Sequence, residues 1–457
     1  MTMLTSRTTV TWANPDPATV PELRTETPGP RSRALHERME RHARPALTSM
    51  VQLHPVAYER GQGVVLVDVD GNRYLDFSSG IAIANLGHAH PRIAEAIGRA
   101  AAGLDNVHDF ATPAKVAALE ALAEVTPPGL ELFTFFSSGT EAVEAAMRIA
   151  RAATGRTAFV GLYDDYHGRT GGSASLSSVR PSNGPRDPGA FLVPNGHRYH
   201  CTHCATSAAC DLRCVTSVER AVAQHAPGQL AGVVFEPVTN AGGAVLHEPG
   251  YVAGLADVVR RNGGLVIADE VATGMGRTGR WFGCDHHDVV PDVMALGKGL
   301  GNGFPVSAVA VSRELAGELG AAFPSTSYGG NPMAMAAVVE VIAVLREEDL
   351  VAHCADLGEH ALATLRALQA RHPLVGEVRG RGALLAVELV TDHETRRPHP
   401  LAGNRVVQEA FRRGLALATA GHILRLTPPI VMAPELFDKG VEILDEALTA
   451  VELELDR

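Results

Sequence analysis

The chain has 457 residues, of which 46% are hydrophobic and 20% charged, as expected of a globular protein with more than one structural unit. Its formal net charge of −11 argues against a nucleic-acid partner, because basic surfaces bind phosphate backbones. No apolar run reaches the roughly 20 residues that cross a bilayer. Six cysteines in a chain of this length do not make a disulfide scaffold. These features predict a cytoplasmic protein that binds neither nucleic acid nor membrane.

The N-terminal part is predicted to contain an arm and a hairpin. The first thirty residues are rich in Thr, Pro and Ala, and we expect a flexible arm over residues 1–35. Residues 36–85 are assigned to the N-terminal part of a small domain. Within them, two strand-like runs, 64–67 and 73–75, flank Asp70-Gly71, a pair that suits a tight two-residue turn.

A large domain is predicted over residues 86–340, because apolar runs alternate there with alanine-rich helical stretches. Continuous apolar runs separated by helices indicate a mostly parallel sheet covered by helices on both faces. The predicted fold class is therefore α/β. The predicted strands are residues 132–136, 158–162, 230–235, 265–268, 293–296 and 308–311.

The C-terminal residues 341–457 predict a smaller α+β domain. Long helical stretches cover residues 351–370, 402–413 and 436–453, and shorter strands such as 384–389 lie between them.

Lysine is rare, which makes any lysine chemistry easy to locate. Only three of the 40 basic residues are lysines, namely Lys115, Lys298 and Lys439. The first and last lie in helical stretches, where a solvated lysine is the ordinary expectation. Lys298 instead follows the apolar run 293–296 and has glycines on both sides. A partly desolvated lysine at the end of a strand can act as a nucleophile and form an imine.

The glycines around Lys298 do not fit a nucleotide-binding loop. Phe304 stands where the dinucleotide fingerprint after Gly299 and Gly301 needs glycine, and neither Ser nor Thr follows Lys298 as a phosphate loop requires. For this segment taken alone, the alternative is that Lys298 lies in a glycine-rich loop and has no chemical role.

A buried carboxylate is predicted near this lysine. Asp269 ends an apolar run and precedes Lys298 by 298 − 269 = 29 residues, about one strand–helix–strand step. Both residues would then leave a parallel sheet at the edge where ligands bind. A carboxylate there is costly unless a cation pairs with it. The protonated ring of pyridoxal phosphate (PLP) is such a cation.

The phosphate of PLP needs backbone amides and hydroxyls at the start of a helix. A predicted strand leads into Ser137-Ser138-Gly139-Thr140, and a helical stretch follows. The amides and the dipole at such a helix start favour a dianion, although an ordinary N-cap gives the same pattern. Tyr166 is the candidate for a ring that stacks on the cofactor, and an ordinary loop aromatic is its alternative.

These residues belong to a longer series of motifs that begins at about residue 64 and runs to the end of the chain. The motifs are Asp76-Phe-Ser-Ser-Gly-Ile-Ala, Leu86-Gly-His-Ala-His-Pro91, Ser138-Gly-Thr-Glu-Ala-Val-Glu, Tyr166-His-Gly-Arg-Thr, Glu236-Pro-Val, Ala268-Asp-Glu-Val-Ala-Thr-Gly-Met-Gly-Arg-Thr-Gly279, Leu296-Gly-Lys-Gly-Leu, Tyr328-Gly-Gly-Asn-Pro332, Arg379-Gly-Arg-Gly382 and Leu424-Arg-Leu-Thr-Pro-Pro429. In this order they closely resemble the class III aminotransferases. The resemblance implies the fold-type I PLP architecture and a homodimer with active sites at the subunit interface.

The resemblance also implies roles for individual residues. Lys298 would form the Schiff base with PLP and shuttle a proton, and Asp269 would pair with the pyridinium. Ser327 stands where the family usually has Thr, whose hydroxyl reaches the phosphate in the neighbouring subunit. The implied cofactor-binding residues are Ser138, Gly139, Thr140, Tyr166, His167, Glu236, Asp269, Val271, Lys298 and Ser327.

Two arginines match substrate-binding positions of the family. Arg425 would bind an α-carboxylate, and Arg169 would bind the distal carboxylate of 2-oxoglutarate or of an ω-amino acid, with a structural ion pair as the alternative for each. Ala241 stands where many members have a glutamate that neutralises the first arginine. Ala272 stands where a glutamine is common. Both differences argue against a standard 4-aminobutyrate or ornithine enzyme.

Four cysteines form a separate cluster. Cys201 and Cys204, then Cys210 and Cys214, are two closely spaced pairs of the kind that zinc prefers. No catalytic metal is predicted. A structural metal, a redox crosslink and free thiols remain alternatives for this cluster.

The sequence therefore predicts a PLP-dependent aminotransferase that moves an amino group from an amine or ω-amino donor to a keto acid, either 2-oxoglutarate or pyruvate, through Lys298. A PLP-dependent epimerase, decarboxylase or aminomutase on the same scaffold is the alternative.

Overall fold

The structure is a computed structural model that describes residues 11–43, 51, 54–179, 185–205, 209–320 and 323–455. Contacts divide the chain into two compact units. The first unit combines Met1–His90 with Ala352–Arg457, and the second unit is Pro91–Val351. The domain boundaries proposed from the sequence were 85/86 and 340/341.

The strands are β1 (Tyr58–Gln62), β2 (Val65–Asp68), β3 (Arg73–Asp76), β4 (Leu132–Phe136), β5 (Ala158–Leu162), β6 (Ala190–Val193), β7 (Leu230–Phe235), β8 (Leu265–Asp269), β9 (Val293–Leu296), β10 (Ser307–Val311), β11 (Val375–Arg381), β12 (Leu384–Leu389), β13 (Leu415–Ala416), β14 (Ala418–Ala420) and β15 (Ile423–Leu426). The helices are α1 (Pro30–Ala43), α2 (Ser79–Ala82), α3 (Pro91–Ala101), α4 (Pro113–Ala123), α5 (Gly139–Thr154), α6 (Gly171–Leu176), α7 (Arg213–His225), α8 (Tyr251–Arg261), α9 (Arg313–Leu319), α10 (Pro332–Glu347), α11 (Leu350–Gln369), α12 (Ala402–Arg412) and α13 (Pro434–Leu455). Within the described ranges, no helix is both long and apolar enough to cross a membrane.

The second unit contains a seven-stranded sheet in the order β4-β10-β9-β8-β7-β5-β6. Strands β9, β8, β7, β5 and β6 run parallel to one another, whereas β10 runs antiparallel to both of its neighbours. The predicted α/β class and the mostly parallel sheet are confirmed, and every strand predicted for this region is present. The structure adds β6 at the edge of the sheet, which was not predicted from the sequence.

Helix α5 packs across β7, β8, β9 and β10. Its buried face is formed largely by small residues such as Ala142, Ala146 and Ala150, which let the helix backbone approach the sheet closely. Phe159 and Ile267, both 1% exposed or less, belong to the same hydrophobic core. This packing fixes the start of α5 relative to the ends of the central strands.

The first unit contains two four-stranded sheets, β1-β2-β3-β13 and β11-β12-β15-β14. Strands β2 and β3 form the hairpin predicted around Asp70-Gly71. Because β13 runs parallel to β3, the C-terminal part of the chain completes a sheet that the N-terminal part begins. The second sheet is antiparallel throughout, and helices α12 and α13 pack against each other.

The arm predicted over residues 1–35 is only partly within the described ranges, because residues 1–10 lie outside them. Asn14 donates to the carbonyl oxygen of Val431 at 2.8 Å and accepts from the amide of Ala433 at 2.9 Å. These bonds attach the described part of the segment to the first unit.

Candidate active site

Two neighbouring strands of the second unit bring Asp269 and Lys298 to one edge of the sheet. Strands β8 and β9 run parallel, and Asp269 at the end of β8 is in register with Ala295 of β9. The chain leaves β9 through Gly297 and reaches Lys298 at once. Both residues therefore lie at the carboxyl edge, where open α/β sheets bind ligands.

Lys298 has an unusual backbone conformation. The residue is half-buried and opens a short 3-10 turn, Lys298–Leu300, with a φ of +43°. A left-handed conformation costs a residue with a Cβ atom about 1–2 kcal/mol. Such strain is concentrated at functional sites and persists only where the surrounding fold imposes it.

The start of α5 meets this edge through Val271. A Cβ atom on Gly139 would lie 2.7 Å from Cγ1 of Val271, and a Cβ atom on Gly297 would lie 3.2 Å from the same methyl group. Only glycine fits at position 139 without displacing Val271. The first-turn amides of α5, which have no partners within the helix, therefore lie close to the segment that carries Lys298.

Two hydroxyls stand at the start of this helix. Ser138 Oγ accepts from the amide of Glu141 at 3.3 Å, so Ser138 is the N-cap of α5. Thr140 lies against Gly168, because a Cβ atom on that glycine would be 2.7 Å from Thr140 Oγ1. The φ of +146° at Gly168 also favours glycine. The ordinary N-cap that the sequence left as an alternative is thus present, next to the Tyr166 segment.

Asp269 is held from two sides. Its Oδ2 lies 2.8 Å from Nδ1 of His167, and its Oδ1 accepts from the amide of Val271 at 3.1 Å. Asp269 and His167 are each 3% exposed. A buried carboxylate in this environment needs a cation, and a histidine can supply one only when it is protonated.

Tyr166 and Arg169 lie on the same segment as His167. Arg169 is exposed, and its Nε donates to the hydroxyl of the half-buried Tyr166 at 3.1 Å. The arginine is therefore positioned beside the predicted stacking ring and remains open to solvent.

Glu236 holds the Tyr166 segment through hydrogen bonds to backbone amides. One carboxylate oxygen accepts from the amide of Tyr166 at 2.8 Å, and the other accepts from the amide of Asn240 at 2.9 Å. Glu236 is 2% exposed, and Ala241, the next residue after Asn240, is 8% exposed. The carboxylate therefore ties the Tyr166 segment to the segment that contains Ala241.

Asp165 adds a second buried carboxylate to this support. Its two oxygens accept from the amide of Glu236 at 3.0 Å and from the hydroxyl of Thr239 at 2.6 Å. Its Oδ2 is also 3.7 Å from Nε2 of His167. Asp165 and Thr239 were not predicted from the sequence, because two adjacent acids in a loop resemble a solvated turn.

The proximity of these acids changes their protonation. Burial raises the pKa of Asp165 well above its usual range, and the charge of Glu236 adds to the effect. Burial, together with the charge of Asp269, raises the pKa of Glu236 to about 7. Burial alone would lower the pKa of His167, but the hydrogen bond and charge of Asp269 raise it above the usual value. The carboxylate of Asp269 therefore favours the protonated form of His167.

Ser327 is the remaining residue of the second unit that was predicted to bind the phosphate. It is exposed, and its carbonyl oxygen accepts from the side-chain amide of Asn106 at 2.7 Å. The preceding residue, Thr326, lines a cavity of about 560 Å³ with Thr140 and Arg169. Ser327 thus follows a segment that reaches the candidate site, while its own side chain faces solvent.

Arg425 belongs to the first unit. It lies on β15, in register with Ala386 of β12 and Ala418 of β14, and is 7% exposed.

One sulfur–sulfur contact connects the two cysteine pairs of the sequence. Cys204 Sγ lies 3.3 Å from Cys210 Sγ, so the contact joins one member of each pair. All six cysteines are free thiols. Across the residues that the structure describes, no group of three or more His, Cys, Asp or Glu side chains is arranged to hold a metal ion.

The residues of the second unit fit PLP. The sheet edge provides a half-buried lysine and a buried carboxylate, and the carboxylate is oriented by a histidine. A helix start with a crowded glycine suits a phosphate. A tyrosine and a valine stand at the same edge and can contact a ring.

Comparison with known proteins agrees with this geometry. The family model described as aminotransferase class III matches residues 48–448. The 5-aminovalerate aminotransferase DavT of Pseudomonas aeruginosa is 33% identical over 402 residues, which cover 86% of this chain and 94% of that protein. The 4-aminobutyrate aminotransferase of Mycobacterium leprae is 34% identical over 442 residues, which cover 93% of this chain and 98% of that protein.

A solved structure extends the similarity to three dimensions. A thermostable omega transaminase mutant from Pseudomonas jessenii superposes with a TM-score of 0.86 at 27% identity, and the match covers 91% of this chain and 98% of that one. The fold is thus PLP fold type I.

The chain belongs to the class III aminotransferase family. It is a PLP-dependent aminotransferase, as the sequence motifs predicted.

Proposed function

We propose that Lys298 attaches PLP as a Schiff base and, as a free amine, moves the proton at the carbon that bears the donor nitrogen. Bound PLP supplies the electron sink for the charge that develops at this carbon. Asp269, oriented by His167, keeps the ring nitrogen protonated. The single observation that carries this proposal is the emergence of Asp269 and Lys298 from adjacent parallel strands at one edge.

The remaining contacts to the cofactor follow from the surrounding elements. Gly139 and Thr140 bind the phosphate at the start of α5, supported by the helix dipole. Tyr166 stacks on one face of the ring, and Val271 packs on the other. The crowding of Gly139 against Val271 supports this assignment, because it brings the phosphate and ring positions together.

We propose that the donor is an amine or an ω-amino acid and the acceptor is a keto acid, either 2-oxoglutarate or pyruvate. The exposed guanidinium of Arg169 beside Tyr166 suits a distal carboxylate, which an arginine grips with two parallel hydrogen bonds. Ala241 offers no acid that could neutralise a carboxylate-binding arginine. The relatives named for 5-aminovalerate and 4-aminobutyrate support an ω-amino donor. Arg425 is assigned to the α-carboxylate of the keto acid.

We propose further that the enzyme is a cytoplasmic homodimer and that Ser327 of the partner subunit binds the phosphate. Exposed apolar side chains of the second unit support a protein interface there, since Phe110 is 78% exposed and Tyr328 is 68% exposed. Six cysteines in a chain of 457 residues do not make the disulfide scaffold of an oxidising compartment, which supports the cytoplasm.

The test of the reaction is a half-reaction on PLP-loaded protein with one donor at a time. The donors are 4-aminobutyrate, 5-aminovalerate, L-alanine and an uncharged primary amine. The proposal predicts loss of the visible absorbance of PLP, mass-detected pyridoxamine phosphate and release of a carbonyl product. Proton exchange or loss of CO2 from the donor without conversion of the cofactor would instead indicate an epimerase or a decarboxylase.

The variant Arg169→Ala tests the proposed class of donor independently of the proposed reaction. We expect the KM for ω-amino acids to rise roughly 10- to 100-fold, as loss of a charged hydrogen bond of about 1.5–3 kcal/mol implies. The KM for the uncharged amine should stay unchanged. An equal rise for both donors would exclude a carboxylate-binding role for Arg169.

A further inference from the structure

The four-cysteine segment between β6 and α7 has no part in the proposed reaction. It contains Cys201, Cys204, Cys210 and Cys214 within fourteen residues of each other along the chain. The sulfurs of Cys204 and Cys210 approach each other to 3.3 Å. The fold therefore brings together two cysteines that belong to different pairs in the sequence pattern.

The two sulfurs have different surroundings. Cys204 is 3% exposed, whereas Cys210 is partly exposed. The amide of Leu212, at the start of α7, donates to Cys210 Sγ at 3.4 Å and helps to fix its direction. Burial and the neighbouring sulfurs of Cys210 and Cys201 raise the pKa of Cys204 to about 12. Of these two thiols, Cys210 is therefore the one accessible to a reagent, while Cys204 is a buried, protonated thiol 3.3 Å away.

Cys201 is also partly exposed and neighbours Cys204, but the contact of 3.3 Å joins Cys204 to Cys210. The amide of His203 donates to Cys201 Sγ at 3.4 Å. Cys214 is 3% exposed and lies within α7. Because the described residues form no metal-holding group, the close pair is left as a dithiol.

We propose that Cys204 and Cys210 are a site of reversible oxidation that closes to a disulfide, with Cys210 as the entry thiol and Cys204 as the resolving thiol. The oxidant is a low-molecular-weight disulfide. This modification is independent of the amino-transfer reaction and uses none of its residues.

The reaction proceeds by two exchanges. The thiolate of Cys210 attacks one sulfur of the small disulfide, whose S–S bond breaks and releases one small thiolate. Cys204 then attacks Cys210 Sγ, and the mixed S–S bond breaks to release the second small thiolate. The protons of the two cysteines pass to the two small thiolates. Two cysteines are oxidised and one small disulfide is reduced to two thiols.

Oxidation of the reduced, PLP-loaded protein with oxidised glutathione tests the proposal without any mutation. After alkylation, unfolding and digestion with trypsin, residues 199–213 form one peptide with Cys201, Cys204 and Cys210, and Cys214 begins the next. We expect the first peptide to lose two hydrogen atoms and to carry one alkyl group, on Cys201. The free thiols should fall from six to 6 − 2 = 4 per chain.

Single variants test the direction of the exchange. Cys204→Ser should accumulate a glutathione adduct on Cys210, because the resolving thiol is missing. Cys210→Ser should form neither the adduct nor the bridge. Cys201→Ser and Cys214→Ser are matched controls, and both should still form the bridge.

Three results would overturn the proposal. One is a bridge that joins Cys201 to Cys204 or Cys210 to Cys214. Another is the persistence of all six thiols in the folded protein under conditions that oxidise the unfolded chain. The third is stoichiometric zinc in the purified protein that leaves when the cysteines are replaced, since the thiols would then be metal ligands.

Discussion

Asp269 is central at the scale of single residues because its two oxygens have separate partners. The hydrogen bond to His167 and the bond from the amide of Val271 fix the carboxylate in a buried environment. A buried negative charge is stabilised when a cation forms beside it, and it stabilises that cation in turn. The protonated ring of PLP is the cation that the proposed mechanism requires.

Replacement of this carboxylate should separate catalysis from folding. We expect Asp269→Asn to lower kcat roughly 100-fold or more, because the ring nitrogen would lose the charge that keeps it protonated. The measurement is steady-state kinetics with the donor that the half-reaction identifies. Asp292→Asn is the control, since Asp292 bonds the amide of Val266 in the strand that ends at Asp269. Near-normal kcat in Asp269→Asn would contradict the proposed role.

The buried acids predict a pH dependence of stability in the cofactor-free protein. Folding raises the pKa of Glu236 from its usual 4.5 to about 7. Between these values the folded state holds more protons than the unfolded state, so the free energy of unfolding falls as pH rises. The raised pKa values of Asp165 and His167 act in the same direction.

Glu236→Gln should therefore flatten the decline in stability between pH 5 and 7, by an amount on the order of 2 kcal/mol. Urea unfolding at several pH values measures this slope. Glu347→Gln is the control, because the carboxylate of Glu347 is exposed and pairs with Arg92 at the surface. An unchanged slope in Glu236→Gln would mean that this carboxyl does not titrate in the window.

Individual residues were predictable where chemistry restricts the choice. Lys298 and Asp269 could be named as candidates because a lysine among glycines and an acid at the end of an apolar run are both unusual, and the structure places both at one edge of the sheet. Asp165 could not, since its importance arises from contacts with Thr239 and His167 that distant parts of the chain supply.

At the scale of secondary structure, the start of α5 is constrained by the close approach of Gly139 to Val271. Gly139→Ala would push a Cβ atom against Val271. Overpacking of this kind costs about 1–3 kcal/mol, and we expect PLP affinity to fall roughly tenfold. Fluorescence titration of cofactor-free protein with PLP measures the change.

Two further variants make this prediction specific. Val271→Ala in the Gly139→Ala background should restore much of the affinity, because it removes the methyl groups that clash. Gly98→Ala lies in helix α3 with open space around its Cβ position. This control should leave PLP affinity unchanged and stabilise the protein by about 0.5–1 kcal/mol. Equal loss of affinity in both glycine variants would contradict the crowding argument.

Buried strands were predictable because their apolar runs are continuous and bounded by turns. The short edge strand β6 escaped prediction because only four residues pair, and they pair on one side alone. The antiparallel direction of β10 was not predicted either, because an apolar run does not show whether a strand runs parallel or antiparallel to its neighbours.

For the whole molecule, the proposed homodimer predicts complementation between inactive variants. Lys298→Ala and Ser327→Asp should each be inactive as homodimers, the second because an added negative charge would repel the phosphate. Mixed dimers should recover activity, since one site would combine an intact Lys298 with an intact Ser327 of the partner subunit. Co-expression with two affinity tags isolates the mixed dimer.

The control mixes Lys298→Ala with Asp269→Asn. In the proposed dimer both of these residues belong to the same subunit's site, so neither site of this mixed dimer is complete and activity should not return. Recovery in the control, or none in the Ser327 mixture, would contradict a site completed by Ser327 of the partner subunit.

The attachment of PLP to Lys298 underlies every proposed step, and borohydride reduction of the PLP-loaded enzyme tests it most directly. Reduction fixes the Schiff base as a stable amine, and peptide mass mapping then identifies the labelled residue. Because the chain has only three lysines, the labelled peptide identifies the modified lysine unambiguously. We expect the phosphopyridoxyl group on Lys298 alone. A label on Lys115 or Lys439, or no label in an enzyme that binds PLP, would contradict the proposed attachment.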